Sequence, residues 1–174
     1  MAAGWHGRRK EGSAQEEKVS GAKVADSTPD NIIVATLRGA RTIAVVGASP
    51  KPHRASHQVM QFLQGKGYRC IPVNPGHAGE TLHGETVYAD LASVPVKIDL
   101  VDVFRNPQAA GPVVDEAIAI GAKAVWMQLG VINEEAAERG RKAGLTVIMD
   151  RCPAIEWGRF QVALSGGMSH TPGL

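Results

Sequence analysis

The chain has 174 residues, 44% of them hydrophobic, which predicts one domain with a sizeable core. Its formal net charge of +2 and its scattered aromatic residues argue against nucleic-acid binding, and no apolar run reaches the roughly 18 residues of a membrane span. Two cysteines without C-x-x-C spacing, Cys70 and Cys152, favour reduced thiols in the cytoplasm over a disulfide framework or a metal site.

The N-terminal residues are polar and show no apolar period. Residues 1–30 are therefore expected to form a disordered tail that precedes a domain over residues 31–158. A short apolar segment over residues 31–37 predicts a lead-in helix that ends at Gly39. The next apolar run, residues 43–46, is typical of a buried parallel strand.

A glycine turn follows this first strand. Gly47 permits a tight turn, and Ser56 can cap a helix that continues to Leu63. In doubly wound α/β proteins such a turn presents backbone N–H groups to a phosphate. The loop departs from G-x-G-x-x-G, because Ser49 stands two residues after Gly47, and no Gly-Lys-Ser/Thr closes a Walker loop. The segment predicts a nucleotide-like ligand, with an ordinary turn as the alternative.

Strand and helix patterns alternate through the rest of the domain. Further strands are predicted over residues 68–73, 98–104, 123–129 and 145–149, and further helices over residues 107–120 and 133–144. The alternation predicts an α/β fold, a Rossmann-like doubly wound parallel sheet with helices on both faces. Right-handed crossovers favour the strand order 3-2-1-4-5, with a ligand between strands one and four. Residues 159–174 resemble a second tail.

The end of the second strand bears on the choice of nucleotide. NAD-binding folds place an acidic residue there, whereas this strand ends Val73-Asn74-Pro75, followed two residues later by His77. A neutral or weakly cationic end suits a ribose that carries an extra phosphate, as in coenzyme A or NADP. The Asn-Pro pair is also a common turn opener.

Five segments together carry a resemblance to a known family. In order over residues 31–157 they are VVGAS, GYRCIPVNP, KIDLVDVFRNP, AVWMQLGVIN and DRCPAIEW. They resemble the small stand-alone CoA-binding proteins, which are similar to the N-terminal CoA-binding domain of the succinyl-CoA synthetase α subunit and related acyl-CoA ligases. The resemblance implies a Rossmann-like fold with coenzyme A or an acyl-CoA as its ligand. The ligase's catalytic machinery does not carry over, so the resemblance implies CoA binding without catalysis.

The resemblance and the carboxyl edge of the predicted sheet together define a set of ligand-binding residues. The first loop would hold the CoA phosphates, and the ends of the second, third and fourth strands would flank the adenosine. The set is Gly47, Ala48, Ser49, Arg54, Ser56, Val73, Asn74, Pro75, His77, Phe104, Arg105, Met127 and Gln128. Two alternatives are that Arg105 pairs with Asp102 or another surface acid, and that Phe104 belongs to the core. Cys152 is expected to be a structural thiol, and a mixed disulfide with the CoA thiol is its alternative.

Two other functions remain open at this point. One is an NAD(P)-binding redox domain, for which Ser49 and Asn74 fit poorly. The other is a CoA-binding subunit of a split acyl-CoA ligase, which would need an ATP-grasp or acyl-transfer partner protein. No nucleophile–base pair is evident, so no catalytic residue is predicted.

Overall fold

The computed structural model describes residues 28–166, which form seven strands and six α-helices. The strands are β1 (Thr42–Val46), β2 (Arg69–Val73), β3 (Thr81–Leu82), β4 (Glu85–Thr86), β5 (Leu100–Val103), β6 (Ala124–Met127) and β7 (Thr146–Ile148). The helices are α1 (Asp30–Gly39), α2 (Ala55–Gly65), α3 (Pro107–Ala119), α4 (Glu134–Lys142), α5 (Pro153–Arg159) and α6 (Gln161–Ser165). Among the helices of residues 28–166, none has the length and apolar character that a membrane crossing requires.

Five strands form one parallel sheet in the order β2-β1-β5-β6-β7. The strands β3 and β4 form a separate antiparallel hairpin. Every residue of β5 and β6 is buried, as expected for strands that are covered on both faces. The predicted α/β fold, a Rossmann-like doubly wound sheet, is confirmed.

Two hydrophobic layers lie on opposite faces of the sheet. One joins α1, α2, α5 and α6 to alternate strand residues such as Val45 and Trp126. The other joins α3 and α4 to the intervening strand residues, such as Val103 and Met127. Because successive residues of a strand point to opposite faces, one short apolar run supplies both layers.

The strand order differs from the expected 3-2-1-4-5. Counted over the five sheet strands it is 2-1-3-4-5, because β5 pairs with β1 instead of β2. The free edge of β2 is covered by Tyr88, whose N–H donates to the Pro72 carbonyl at 3.0 Å and whose carbonyl accepts from Asn74 N at 2.9 Å. No α-helix lies between β2 and β5. The order therefore reverses between β1 and β5, the position at which ligands bind in sheets of this order.

The C-terminal boundary also differs from the expected tail over residues 159–174. The helix α6 lies within that range, and its Leu164 is buried in the same layer as α1. The Arg38 guanidinium on α1 donates to the carbonyl of Ala163 on α6. The packed domain therefore extends to the end of α6, and the remainder of both predicted tails lies outside the described residues.

Gly47 follows β1 at the point where the strand order reverses. Its φ is +87°, and a Cβ at this position would overlap the backbone carbonyl of Phe104, the residue that follows β5. Its N–H donates to the Val73 carbonyl at the end of β2, at 2.9 Å. A glycine is required here because both the backbone conformation and the close approach exclude a side chain.

The interior of the sheet contains one carboxyl group that has no ionic partner. Asp102 of β5 is 0% exposed and lies in register between Val45 of β1 and Trp126 of β6. Its Oδ1 accepts a hydrogen bond from Gln128 Nε2 at 2.7 Å, and within residues 28–166 its Oδ2 has no hydrogen-bond partner. Burial raises the pKa of Asp102 to about 7, against a smaller lowering by the Gln128 bond. This carboxyl group therefore gains and loses its proton near neutral pH.

The substitution Gly47→Ala is expected to destabilise the protein strongly. A left-handed backbone costs a non-glycine residue about 1–2 kcal/mol, and the overlap with Phe104 adds about 1–3 kcal/mol. Gly79→Ala is the matched control, because Gly79 has a φ of +89° with no atom within 4 Å of an added Cβ. Urea unfolding should give a clearly larger loss for Gly47→Ala, and equal losses would contradict the close approach.

The substitution Asp102→Asn is expected to change how stability depends on pH between about 5 and 7. An unfolded Asp titrates near pH 4, so in this window the folded state binds more protons. The contribution of Asp102 to the free energy of unfolding therefore falls as pH rises, by at most about 1.4 kcal/mol per pH unit, and the slope vanishes above the folded pKa. Subtracting the variant's free energy of unfolding from that of the wild type at each pH isolates this slope.

The substitution Asp99→Asn is the control for this experiment. Burial alone would raise the pKa of Asp99, but hydrogen bonds from the N–H groups of Thr42 and Arg41, together with Lys123, lower it overall. Its contribution to stability is present above the unfolded pKa and is lost only as pH falls through the folded pKa. Asp99→Asn should leave the slope between pH 5 and 7 unchanged, and an unchanged slope in Asp102→Asn would contradict its buried titration.

Candidate functional site

A cavity of about 720 Å³ lies at the carboxyl edge of the sheet, over the reversal between β1 and β5. It is bounded by the loops that follow β1, β2, β5, β6 and β7. The lining residues are Gly47, Ser49, Lys51, Arg54, Ala55, Ser56, Val59, Asn74, His77, Phe104, Arg105, Asn106, Gln128, Leu129, Val131 and Cys152. The structure thus gathers nine of the predicted binding residues around one volume.

The loop after β1 is held by its own hydrogen bonds. Gly47 N donates to Val73, as described above, and Ser49 N donates to Ser56 Oγ at 3.1 Å. Lys51 N donates to Ser49 Oγ at 3.2 Å. The N–H groups of Gly47 and Ser49, expected to face a phosphate, are therefore already hydrogen-bonded within the protein. Ser56 does not cap α2 as expected: the helix begins at Ala55, and the Ser56 hydroxyl orients the loop instead.

The N-terminus of α2 opens into the cavity. Ala55 and Ser56, its first two residues, both line the volume. The helix has 11 residues and no acidic side chain in its first turn. The dipole of the helix and the N–H groups of its first turn favour an anion at this end.

Three basic side chains line the cavity, and we call Lys51, Arg54 and Arg105 the cavity cations. Within residues 28–166 none of them forms a salt bridge, and no Asp or Glu is among the lining residues. The alternative in which Arg105 pairs with Asp102 does not hold, because Asp102 is fully buried and bonds to Gln128. The cavity therefore carries positive charge without local compensation, which raises the local concentration of anions.

The end of β2 supplies polar groups in a rigid turn. Asn74 Nδ2 donates to the Ala48 carbonyl at 2.8 Å, and Asn74 Oδ1 accepts from Gly76 N at 3.0 Å. Asn74 therefore both opens the 3-10 turn Pro75–His77 and ties it to the loop after β1. His77 lines the cavity, but its Nδ1 lies 3.1 Å from the Glu80 carboxylate, so this ring nitrogen already has a partner within the protein.

Four predicted residues lie outside the lining. Ala48 and Val73 are buried, and they contribute through the backbone carbonyls that accept from Asn74 and Gly47. Pro75 is exposed in the turn after β2. Met127 is fully buried in the layer with α3 and α4. Its side chain therefore lies on the opposite face of the sheet from Asp102, the hydrogen-bond partner of Gln128.

The structure adds an apolar wall that the sequence did not indicate. Val59 of α2 is buried beneath the cavity, Val131 follows β6, and Leu129 is 60% exposed at the rim. Phe104 is half-buried and packs against the core while it also lines the cavity, so both interpretations of it hold. The lining thus combines a cationic side with an apolar side.

Cys152 lies at the inner wall of the cavity and is 7% exposed. Burial raises the pKa of its thiol, against smaller lowering effects of the Ile155 and Ala154 N–H groups at the start of α5. The thiol is therefore protonated at neutral pH, whereas a reactive cysteine needs the thiolate. This agrees with the interpretation of Cys152 as a structural thiol.

The chain is similar to known proteins over most of its described length. Residues 41–158 match the model of the CoA binding domain. The chain is 40% identical to Bacillus subtilis YneT over 116 residues, which are 67% of this chain and 84% of that protein. A hypothetical protein from Pyrococcus horikoshii has a similar structure, with a TM-score of 0.74 and 38% identity over 78% of this chain and 94% of that chain.

Part of a longer protein has a similar structure. The dinucleotide-forming acetyl-coenzyme A synthetase 1 of Candidatus Korarchaeum cryptofilum, in complex with phosphate and ADP, aligns with a TM-score of 0.57 and 26% identity. The alignment covers 66% of this chain and 26% of the synthetase. Because the family match spans the whole sheet and every residue that lines the cavity, the chain belongs to the CoA-binding domain family.

Proposed function

We propose that this protein binds coenzyme A or an acyl-CoA in the cavity and does not act as a catalyst on its own. The observation that carries the proposal is the set of cavity cations, which form no salt bridge within residues 28–166 and share with the N-terminus of α2 a lining that contains no carboxylate. CoA carries a diphosphate and a 3′-phosphate, so it needs several positive groups spread over one site. The family match supports this ligand over other nucleotides.

The two sides of the cavity suit the two parts of CoA. The diphosphate would lie over the N-terminus of α2, near Arg54, where the helix dipole and a guanidinium act together. The adenosine would lie between the turn after β2 and Phe104. The apolar wall that includes Leu129 and Val131 would cover the pantetheine arm or an acyl group.

The lining favours binding over catalysis. Within residues 28–166, no lining serine or cysteine is hydrogen-bonded to His77, whose Nδ1 faces Glu80 instead. The Ser56 hydroxyl accepts the Ser49 N–H, and the Cys152 thiol is protonated. Activation of a nucleophile needs a base in hydrogen-bond contact with it, and this arrangement does not provide one.

A role as a subunit is the second proposal. The acetyl-CoA synthetase that shares this domain is a much longer chain, of which the alignment covers 26%. In that case the protein would present bound CoA to a partner of the ATP-grasp or acyl-transfer class.

We place the protein in the cytoplasm, because both cysteines are free and buried, as in a reducing compartment.

Thermal unfolding in the presence of CoA, dephospho-CoA, acetyl-CoA, NAD and NADP tests the proposed ligand. A ligand at 100 times its Kd stabilises the folded state by about 2.7 kcal/mol, which corresponds to roughly 5–10 °C in a domain of this size. We expect CoA to raise Tm more than dephospho-CoA, because the 3′-phosphate adds an ionic contact. A larger shift with NAD or NADP would favour a redox domain, and no shift with any ligand would contradict the proposal.

The substitution Arg105→Ala is expected to weaken CoA binding about 10- to 100-fold, because it removes one charge-assisted contact. Isothermal titration calorimetry measures this change. Lys97→Ala is the control, because Lys97 is an exposed cation that precedes β5, at the opposite edge of the sheet. An unchanged Kd in Arg105→Ala, or an equal loss in Lys97→Ala, would contradict the placement of the ligand.

A further inference from the structure

The buried pair of Asp102 and Gln128 connects the interior of the sheet to the cavity. Asp102 is completely buried on β5, whereas Gln128 follows the neighbouring strand β6 and lines the cavity while it is 7% exposed. The 2.7 Å hydrogen bond from Gln128 Nε2 to Asp102 Oδ1 joins the two side chains. One end of the Gln128 amide is therefore fixed by a residue that does not itself line the cavity.

The backbone of Gln128 is fixed independently of Asp102. Its N–H donates to the Val103 carbonyl at 3.3 Å, and its carbonyl accepts from Val131 N at 2.9 Å. These bonds fix where the side chain starts but not which end of its amide faces the ligand. An amide carries a donor and an acceptor of nearly the same shape, so a flip would exchange them.

The acceptor on Asp102 determines which end of the Gln128 amide faces the cavity. A carboxyl group offers Oδ1 as an acceptor to an N–H group whether it is ionised or neutral. With the NH₂ group held at Asp102, the carbonyl oxygen is the end of the Gln128 amide that is left for the cavity. The cavity cations are donors only, whereas this carbonyl would offer the cavity an acceptor.

We propose that Asp102 is a positioning residue, which holds the Gln128 amide so that its carbonyl accepts a hydrogen bond from an N–H group of the ligand. This inference rests on the proposed binding of CoA. CoA has N–H donors of two kinds, the adenine amino group and the two amides of the pantetheine arm. Adenosine 3′,5′-bisphosphate keeps the first and lacks the second, so it distinguishes between them.

The test is a double-mutant cycle on CoA affinity, measured by isothermal titration calorimetry. Asp102→Val and Gln128→Ala are each expected to raise Kd by about 3- to 10-fold, the usual effect of one hydrogen bond. The double variant should bind no more weakly than Gln128→Ala alone, because both changes remove the same contact. Asp102→Asn keeps an acceptor at the same place and should restore affinity to within about twofold of the wild type.

Two further variants separate positioning from general damage to the fold. Asp99→Asn alters a buried carboxylate at the opposite edge of the sheet, so it should lower Tm without changing Kd. If Asp102→Val does not fold, Asp102→Ala removes the same acceptor without adding volume. A weaker Kd with CoA but not with adenosine 3′,5′-bisphosphate would assign the contact to the pantetheine arm, and a loss with both would assign it to the adenine.

Specific outcomes would overturn the inference. Wild-type affinity in the variant that lacks the Asp102 acceptor, or losses that add in the double variant, would show that Asp102 does not act through Gln128. Either result would leave the proposed function intact as long as the wild type binds CoA. A wild type that binds neither CoA nor adenosine 3′,5′-bisphosphate would instead refute the proposed function and this inference with it.

Discussion

The close approach of the loop after β1 to the end of β5 is the constraint on which the cavity depends. At Gly47 the missing side chain lets the backbone lie against the Phe104 carbonyl, while the Gly47 N–H bonds to Val73 at the end of β2. Three strand ends therefore converge where the strand order reverses. Because of this convergence, the N-terminus of α2 and the Arg105 side chain face one volume although they belong to opposite crossovers. A larger residue would push these two sources of positive charge apart.

The cavity concentrates positive charge. Some basic residues elsewhere have acidic partners, as in the pairs Arg69–Glu85 and Arg139–Asp115, whereas the three cavity cations share one lining that contains no Asp or Glu and form no salt bridge within the described residues. Neighbouring like charges repel one another in the empty protein, and an anionic ligand removes that repulsion. For the proposed anionic ligand, part of the binding free energy would therefore come from relief of repulsion in the empty state, and salt would weaken both effects by screening.

The sequence predicted the fold class and nine of the residues that line the candidate cavity, because both follow from short-range patterns. Buried apolar runs marked all five sheet strands, and the residue after each run had to lie at the carboxyl edge. The strand order could not be predicted from these patterns. The segment between β2 and β5 has no α-helix, and its Tyr88 covers the edge of β2 through backbone hydrogen bonds that no local pattern indicates. The Ser49–Ser56 bond was not predicted for a similar reason. A serine near a helix start is usually interpreted as a cap, and only the folded loop shows that the Ser56 hydroxyl accepts from the Ser49 N–H group instead.

Asp102 shows where stability and ligand geometry oppose each other. Its neighbours in the sheet are apolar, and a valine at this position would avoid both the desolvation of a carboxyl group and a buried oxygen with no partner, each of which costs stability. In the proposed role, the carboxyl group determines the orientation of the Gln128 amide, because it holds the NH₂ end and would leave the carbonyl for the ligand. An apolar residue can fill the same space but cannot choose between the two ends of an amide. The proposed ligand would therefore explain both the destabilising carboxyl group of the core and the cations of the cavity, because each would arrange groups for that ligand at the expense of the empty fold.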